Sequence, residues 1–92
     1  MFELKLSETA VKNLKSFNHA EPQIIAKKLL YLADNFTLLK KSKKITELKG
    51  TNYKHYRFVI ARRIRAIFEI KDEAVILLVL KIGRRKDIYA KK

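Results

Sequence analysis

The sequence predicts an α+β fold, in which an N-terminal strand and a helical hairpin pack on a mainly antiparallel sheet of about four strands. Residues 1–36 combine one short alternating segment with two helical patterns. Residues 53–82 contain three runs with the composition and spacing of strands. The chain has only two glycines and one proline, which is too few for a loop-rich fold.

Length and composition favour one domain over residues 1–92, because a chain of this size can bury one modest hydrophobic core. The chain has no cysteine, so we expect no disulfide and no thiolate-bound metal, and we expect no cofactor. Met1–Lys5 lacks the apolar core of a signal peptide, and no apolar run approaches the roughly 20 residues of a transmembrane helix. These features favour a cytoplasmic protein.

The N-terminal elements carry clear start signals. Residues 2–6 alternate between apolar and charged side chains and predict a short strand. Ser7 is a favourable N-cap and Glu8 lies in the first turn, where the helix dipole favours an acid. A helix should therefore run from this point to about Asn18.

A second helix is predicted over residues 22–36. Pro22 suits the first helical position. Apolar residues follow at helical spacing: Ile25, Leu29, Leu32, Ala33 and Phe36. The two helices form a helical hairpin, and the irregular, lysine-rich segment from Leu38 to Gly50 is interpreted as a basic loop with some turn content.

Three strands are predicted near residues 53–60, 63–70 and 74–82. The last is apolar at every position from Ala74 to Leu80, which is typical of a central strand buried on both faces. The helical hairpin must then cover one face of the sheet.

The first turn between these strands follows from keeping charges out of the core. A two-residue turn would bury Arg63 and Arg65 without partners, at a cost of roughly several kcal/mol. A three-residue turn at residues 61–63 instead leaves the core face apolar. It predicts the pairs Ile60–Ile64, Phe58–Ala66 and Tyr56–Phe68.

The same test places a three-residue turn at residues 71–73. It predicts the pairs Ile70–Ala74, Phe68–Ile76, Ala66–Leu78 and Ile64–Leu80. Lys81 then shares a face with Arg57, Arg65 and His55, and Glu69 is the only acid on that face in these strands. A solvated sheet face also carries Arg and Lys, so this grouping alone does not define a site.

The charge is strongly one-sided. Twenty-two Lys and Arg against nine Asp and Glu give a formal net charge of +13. Residues 1–37 contain five basic and four acidic side chains, a net of +1, whereas residues 38–92 contain seventeen and five, a net of +12. Such a field favours a polyanionic partner, because binding phosphates releases condensed counterions. A membrane surface is less favoured, since the basic half lacks an amphipathic helix with an aromatic face.

Four short motifs stand out along the chain: Glu47-Leu48-Lys49-Gly50, Tyr56-Arg57, Phe68-Glu69-Ile70 and the closing run Leu80–Tyr89. Together with the order of elements, they resemble the RelE/ParE toxin superfamily, in particular its RelE-type mRNA interferase branch. The resemblance implies a RelE-like, microbial-ribonuclease-like fold over nearly the whole chain. It implies a toxin of a type II toxin–antitoxin system that cleaves mRNA in the ribosomal A site and so inhibits translation.

The chemistry implied by this resemblance is a metal-independent attack of the ribose 2′-OH on the adjacent phosphate. Cationic side chains stabilise the phosphorane, and arginine suits this role because its planar fork stays charged. The resemblance implies four catalytic residues: Arg57, Arg65, Arg85 and Tyr89. Candidate RNA contacts are Lys49, Lys54, His55, Lys81, Arg84 and Lys86.

The sequence also departs from its relatives. Val59 lies where some RelE toxins carry a second basic residue, and Arg84 stands where many relatives have a histidine that is suited to proton transfer. The hairpin tip at residues 62–65 differs as well. The general base is therefore open among a lysine, Tyr89 and water.

The resemblance further implies three partners: the ribosome, mRNA and a small antitoxin protein that wraps around the toxin. An acidic amphipathic segment would suit the basic half of the chain. Two other functions remain open, a ParE-like inhibitor of DNA gyrase and a catalytically silent RNA-binding relative. The four predicted catalytic residues favour the nuclease, since a gyrase inhibitor would not need them.

Overall fold

The computed structural model describes residues 2–48, 55–71 and 75–84. Over these residues two helices and five strands follow one another in the order β1, α1, α2, β2, β3, β4, β5. Their bounds are Glu3–Leu6, Glu8–Ser16, Glu21–Lys41, Ile45–Leu48, His55–Ala61, Ile64–Lys71 and Ile76–Arg84.

The strands form one sheet in the order β1-β5-β4-β3-β2. β1 runs parallel to β5, and the other neighbours are antiparallel. The predicted α+β class is confirmed, with five strands in the described part of the chain where about four were expected. As predicted, β5 lies inside the sheet. Its helix-facing residues Leu77 and Val79 are fully buried, and Leu78 and Leu80 on its other face are half-buried.

The first helix begins as its sequence predicts. Ser7 is in an extended conformation as N-cap, and its Oγ accepts a hydrogen bond from the Ala10 N–H at 3.0 Å. The helix ends at Ser16, where the N–H of the C-cap residue Phe17 donates to the Leu14 carbonyl. This is two residues before the expected end near Asn18.

The second helix is longer than predicted, and the interpretation of its end as a loop was wrong. It runs to Lys41, because Leu39 continues the buried stripe of the helix and the lysines are good helix formers. Lys40 and Lys41 in the last turn also suit the negative end of the helix dipole. A kink at Asn35 (φ −127°, ψ 23°) divides the helix.

The rest of the predicted basic loop contains the short strand β2. Ile45 is buried and pairs with Phe58, and Leu48 pairs with His55. Only one of the four β2 residues is buried, so the segment lacks the alternation that identifies a strand from sequence.

The register of the first hairpin is confirmed at Tyr56–Phe68 and Phe58–Ala66 but differs at the tip. Ala61 pairs with Ile64, so the turn has two residues, Arg62 and Arg63, and a bulge lies between Val59 and Ala61. Neither turn residue has a positive φ. A two-residue turn of that kind splays twisted strands, and the bulge supplies the missing local twist. The predicted Ile60–Ile64 pair is therefore wrong, although both side chains are buried as expected.

The predicted register of the second hairpin was wrong. Phe68 pairs with Val79 rather than Ile76, and Ile70 pairs with Leu77. A bulge between Ile67 and Phe68 leaves Leu80 without a direct partner on β4. Ile82 then joins Leu77 and Val79 on the buried face. The apolar run of β5 has no polar residue to mark its register, so keeping charges out of the core could not select the pairing of β4 with β5.

The core lies between the helices and one face of the sheet, and aromatic rings fill its centre. Phe36 of α2 contacts three rings edge-on: Phe2 at 5.3 Å, Tyr56 at 5.5 Å and Phe68 at 5.9 Å between centroids. Tyr56 and Phe68, which are cross-strand partners, stack at 5.4 Å. We call the opposite face of the sheet the outer face. It carries the side chains that alternate with the core residues along each strand.

Candidate nucleic-acid interface

Three basic residues predicted to share a face do so on the outer face. Arg57 of β3 lies opposite Ile67 of β4, and Ile67 lies opposite Lys81 of β5. Arg65 is two residues from Ile67 on β4 and is the diagonal neighbour of both other cations. We call Arg57, Arg65 and Lys81 the basic triad.

The spacing of the basic triad follows from sheet geometry. Strands lie about 4.8 Å apart, so the positions of Arg57 and Lys81 are roughly 10 Å apart across β4. Diagonal neighbours are about 7–8 Å apart. Arg65 faces Gly83 on β5, which has no side chain and leaves space beside the arginine. The triad therefore places three cations around one small area of the outer face.

Ile67 lies at the centre of the triad and is only 7% exposed. It belongs to the outer face and not to the cluster that forms the core under the helices. The centre of the triad is therefore a buried apolar side chain with three cations at neighbouring positions.

The environment of Arg57 is set by the edge strand β2. Its Nη2 donates to the Oγ1 of Thr46, the cross-strand partner of Arg57, at 3.1 Å. This contact orients the guanidinium along the sheet. Thr46 lies in the segment that was interpreted as a loop, so sequence reasoning missed it.

Arg65 is held at the tip of the first hairpin. Its Nη1 donates to the carbonyls of Arg62 at 3.0 Å and Ala61 at 3.4 Å. One nitrogen of the guanidinium thus closes the turn and fixes the direction of the side chain. Since an arginine has five N–H donors, the same group can also bind a phosphate.

A histidine and a carboxylate lie beside the triad. His55 and Glu69 are cross-strand partners, and their Nε2 and Oε1 atoms are 3.8 Å apart. The other Glu69 oxygen is 3.6 Å from the Nζ of Lys71. His55 is two residues from Arg57 on the same face, so this pair is the nearest candidate for proton transfer among the described residues. The sequence placed His55 on this face but did not identify Glu69 as its partner.

Arg84, a predicted RNA contact, lies elsewhere. Its Nη2 is 3.3 Å from Glu21 at the start of α2, and its guanidinium lies 5.4 Å from the ring centre of Phe17. The side chain therefore ties the end of β5 to the helical hairpin, on the side of the sheet away from the triad.

The remaining predicted site residues lie outside the described residues. They are Arg85, Tyr89, Lys49, Lys54 and Lys86. Over residues 2–48, 55–71 and 75–84, no group of three His, Asp or Glu side chains is arranged to bind a metal. In the same ranges, neither helix has the length and apolarity needed to cross a membrane.

The arrangement of strands and helices is that of the RelE toxins. No family model and no curated protein matches the sequence. Solved structures do match: a chain of the archaeal RelE–RelB complex from Pyrococcus horikoshii OT3 aligns over 94% of this chain and 97% of its own, with 20% identity and a TM-score of 0.69. A chain of the intact Escherichia coli RelBE toxin–antitoxin complex aligns over 100% of both chains, with 18% identity and a TM-score of 0.70.

YafQ from E. coli strain BL21(DE3) is a further structural neighbour. It aligns over 98% of this chain and 100% of its own, with 16% identity and a TM-score of 0.66. At these identities the likeness is one of fold, and it agrees with the fold expected from the sequence motifs.

Proposed function

We propose that this protein is the toxin of a type II toxin–antitoxin system and acts as a ribosome-dependent endoribonuclease on mRNA in the A site. The observation that carries the proposal is the basic triad on the outer face of a RelE-type sheet. Three cations from three neighbouring strands suit an RNA backbone. Glu69 is the only acid among the described outer-face residues of those strands.

In the proposed reaction the 2′-oxygen attacks the adjacent phosphorus and the 5′-oxygen leaves. The products are a 2′,3′-cyclic phosphate and a 5′-hydroxyl. Negative charge grows on the phosphoryl oxygens in the transition state, and Arg57 and Arg65 stabilise it from fixed positions. Lys81 holds a neighbouring phosphate.

We further propose that the His55–Glu69 pair takes part in proton transfer. The Glu69 carboxylate lies 3.8 Å from Nε2 of His55 and orients the imidazole, which acts in this proposal as the group that takes the proton from the 2′-hydroxyl. Tyr89 and Arg85, implied by the family resemblance, remain proposed members of the same site. His55→Ala is expected to slow cleavage more than it weakens RNA binding.

The proposed partner that restrains the toxin is a small antitoxin protein. The support comes from two structural neighbours, which are chains of complexes between RelE and RelB. The net charge of +12 over residues 38–92 favours an acidic partner segment.

The test is a toeprinting assay on programmed ribosomes with purified protein. Wild type should cut within the A-site codon, and Arg65→Ala should lower the cleavage rate about 10²–10³-fold, the effect of removing one transition-state donor. Lys12→Ala, which removes one exposed charge from α1, is the matched control and should cut at the wild-type rate.

Arg65 also closes the first hairpin, so each variant needs a thermal melt. Lys81→Ala is a second test variant, because the Lys81 side chain is exposed and its loss should not disturb the fold. Uncut mRNA with wild-type protein, together with loss of gyrase supercoiling, would instead identify a gyrase inhibitor.

A further inference from the structure

A second basic site lies beside the basic triad, at the edge of the sheet next to α2. It is a cleft of about 520 Å³ between α2, the α2–β2 connection and the edge of β3. We call it the edge cleft, and six of its lining residues matter here: Tyr31, Lys43, Lys44, Thr46, Arg57 and Val59. Its volume lies within the range of about 300–1,000 Å³ that is typical of small-molecule sites.

The edge cleft exists because β2 is shorter than β3. Pairing of β2 begins at Ile45, opposite Phe58, so β2 does not cover β3 from Val59 onward. Helix α2 ends just before this point, and the chain turns from the helix into β2 through Lys43 and Lys44. These two lysines therefore line the uncovered edge of β3.

The turn that presents these lysines has an unusual residue at its critical position. The Lys44 N–H donates to the Leu39 carbonyl and the Lys43 N–H to the Lys40 carbonyl, which is the Schellman pattern of helix termination. Lys43 occupies its left-handed position with φ of 61°, where glycine is strongly preferred because it has no Cβ. Glycine at position 43 would therefore be expected to give a more stable protein than lysine.

The edge cleft combines cations with exposed apolar surface. Lys43, Lys44 and Arg57 line it, and none of the described residues that line it is acidic. Tyr31 is 47% exposed and Val59 is 43% exposed, although both are large apolar side chains. An accessible aromatic ring beside cations is the usual composition of a surface that binds single-stranded nucleic acid.

We propose that the edge cleft binds a nucleotide of single-stranded RNA, with its base stacked on Tyr31 and the flanking phosphates on Lys43 and Lys44. Arg57 belongs to both the edge cleft and the basic triad, so one RNA strand can pass from the outer face over the edge of β3 into the cleft. This inference rests on the proposed RNA function and extends its site. An acidic peptide would also suit the lysines, but continuity with the triad and the exposed ring favour RNA.

The stacking part is tested with Tyr31→Leu and Tyr31→Phe. Binding of a fluorescein-labelled, 2′-O-methylated RNA 12-mer, which cannot undergo 2′-OH attack, is measured by anisotropy. Tyr31→Leu should weaken binding about 5- to 150-fold, the range for loss of one stacked base. Tyr31→Phe keeps the ring and should bind like wild type, and neither variant should change the salt dependence.

The phosphate part is tested with Lys43→Ala/Lys44→Ala. Each phosphate contact to a single strand contributes about 0.7 to the slope of log affinity against log salt, so the double variant should lower the slope by about 1.4. Lys12→Ala/Lys15→Ala on α1 removes the same charge outside the edge cleft and is the control. Lys43→Gly should weaken RNA binding without lowering the melting temperature, because glycine suits the left-handed position.

Wild-type RNA affinity and salt slope in all edge-cleft variants would overturn the inference, even where A-site cleavage by wild type upholds the proposed function. The expected binding pattern without any cleavage would uphold the edge cleft and overturn the nuclease. If the variants bind RNA normally but lose binding to an acidic peptide, the cleft is a protein site and the RNA assignment fails.

Discussion

Ser7 links the start of α1 to β5 through its hydroxyl and its backbone N–H. Its Oγ accepts from the Ala10 N–H at 3.0 Å and donates to the Leu80 carbonyl at 2.8 Å, and its own N–H donates to Val79 at 2.9 Å. A hydroxyl can do both because it is a donor and an acceptor at once. Ser7 therefore fixes the start of α1 against the bulge of β5.

Loss of this hydroxyl should destabilise the fold. Ser7→Ala removes an N-cap and leaves the half-buried Leu80 carbonyl with one partner fewer, so we expect the free energy of unfolding to fall by about 1–3 kcal/mol. Ser16→Ala is the matched control, since the Ser16 hydroxyl only donates to the Asn13 carbonyl on an exposed surface. Urea denaturation measures both, and equal losses in the two variants would contradict the role given to Ser7.

Arg84 and Arg65 belong to the same sheet but have different partners. Arg84 is bound to Glu21 and lies over Phe17, whereas Arg65 closes a turn with one nitrogen and faces Gly83. Glu21 and Phe17 lie more than sixty residues before Arg84, so the local sequence does not predict that contact. Arg65 is held by carbonyls three and four residues before it, within its own hairpin.

The edge of β5 that faces away from β4 is covered by two elements in succession. Its pairing with β1 ends at Val79, opposite Leu6, and beyond that point α1 takes over. The Asn13 Oδ1 accepts from the Ile82 N–H at 2.9 Å, so a helix side chain replaces the missing strand. This satisfies a backbone donor that would otherwise be costly to bury.

Helix α2 contributes the Phe36 ring at the centre of the core, and loss of this ring should destabilise the fold. Phe36→Ala eliminates three edge-to-face contacts and leaves a cavity, so we expect a loss of about 3–5 kcal/mol in the free energy of unfolding. Leu38→Ala, two residues further along and 60% exposed, should cost less than about 0.5 kcal/mol. Chemical denaturation measures both variants. A large fall in the free energy of unfolding for Leu38→Ala would contradict the assignment of Phe36 and not Leu38 to the buried face of α2.

Charge is divided unequally between the N-terminal and C-terminal parts of the chain. Residues 1–37, with a net charge of +1, supply most of the helical layer, and residues 38–92, with a net charge of +12, supply four of the five strands. The described acids concentrate away from the basic triad, apart from Glu69. A field of this kind speeds the approach of polyanions.

RNA binding should therefore depend steeply on salt. In the proposed binding mode, the basic triad and the two edge-cleft lysines together engage about five phosphates, which gives a slope near −3.5 and roughly a 100-fold loss of affinity between 50 and 200 mM salt. Anisotropy titrations over this range measure the slope. An RNA with neutral methylphosphonate linkages is the control, and a similar slope for it would remove the electrostatic explanation.

Local signals account for the elements that were predicted correctly. Ser7 and Pro22 mark helix starts through backbone requirements that a single residue meets. The pairs Tyr56–Phe68 and Phe58–Ala66 of the first hairpin were predictable because charged and apolar residues alternate there, so one register keeps arginines out of the core. The bulge and the two-residue turn at its tip were not predicted. Strand β2 gave no such signal, since Ile45 alone is buried and its partner Phe58 lies across a long connection.

The second hairpin shows the limit of the same reasoning. A strand that is apolar on both faces can slide by several residues without exposing a charge, so only side-chain packing selects its register. The predicted register was wrong by three residues or more, yet Lys81 lies on the predicted face because the bulge at Leu80 reverses the parity of the residues that follow.

The sequence by itself determined the order of most elements, the buried face of each helix and the strong positive charge of the C-terminal half. Hydrophobic period, caps and composition are local properties, and they act before any tertiary contact forms. The tertiary structure decided which cations share a surface: Arg57, Arg65 and Lys81 on the outer face, Lys43 and Lys44 at the edge cleft, and Arg84 on the helical side. That choice depends on register, bulges and long-range partners, because a side chain's neighbours across a sheet belong to distant parts of the chain.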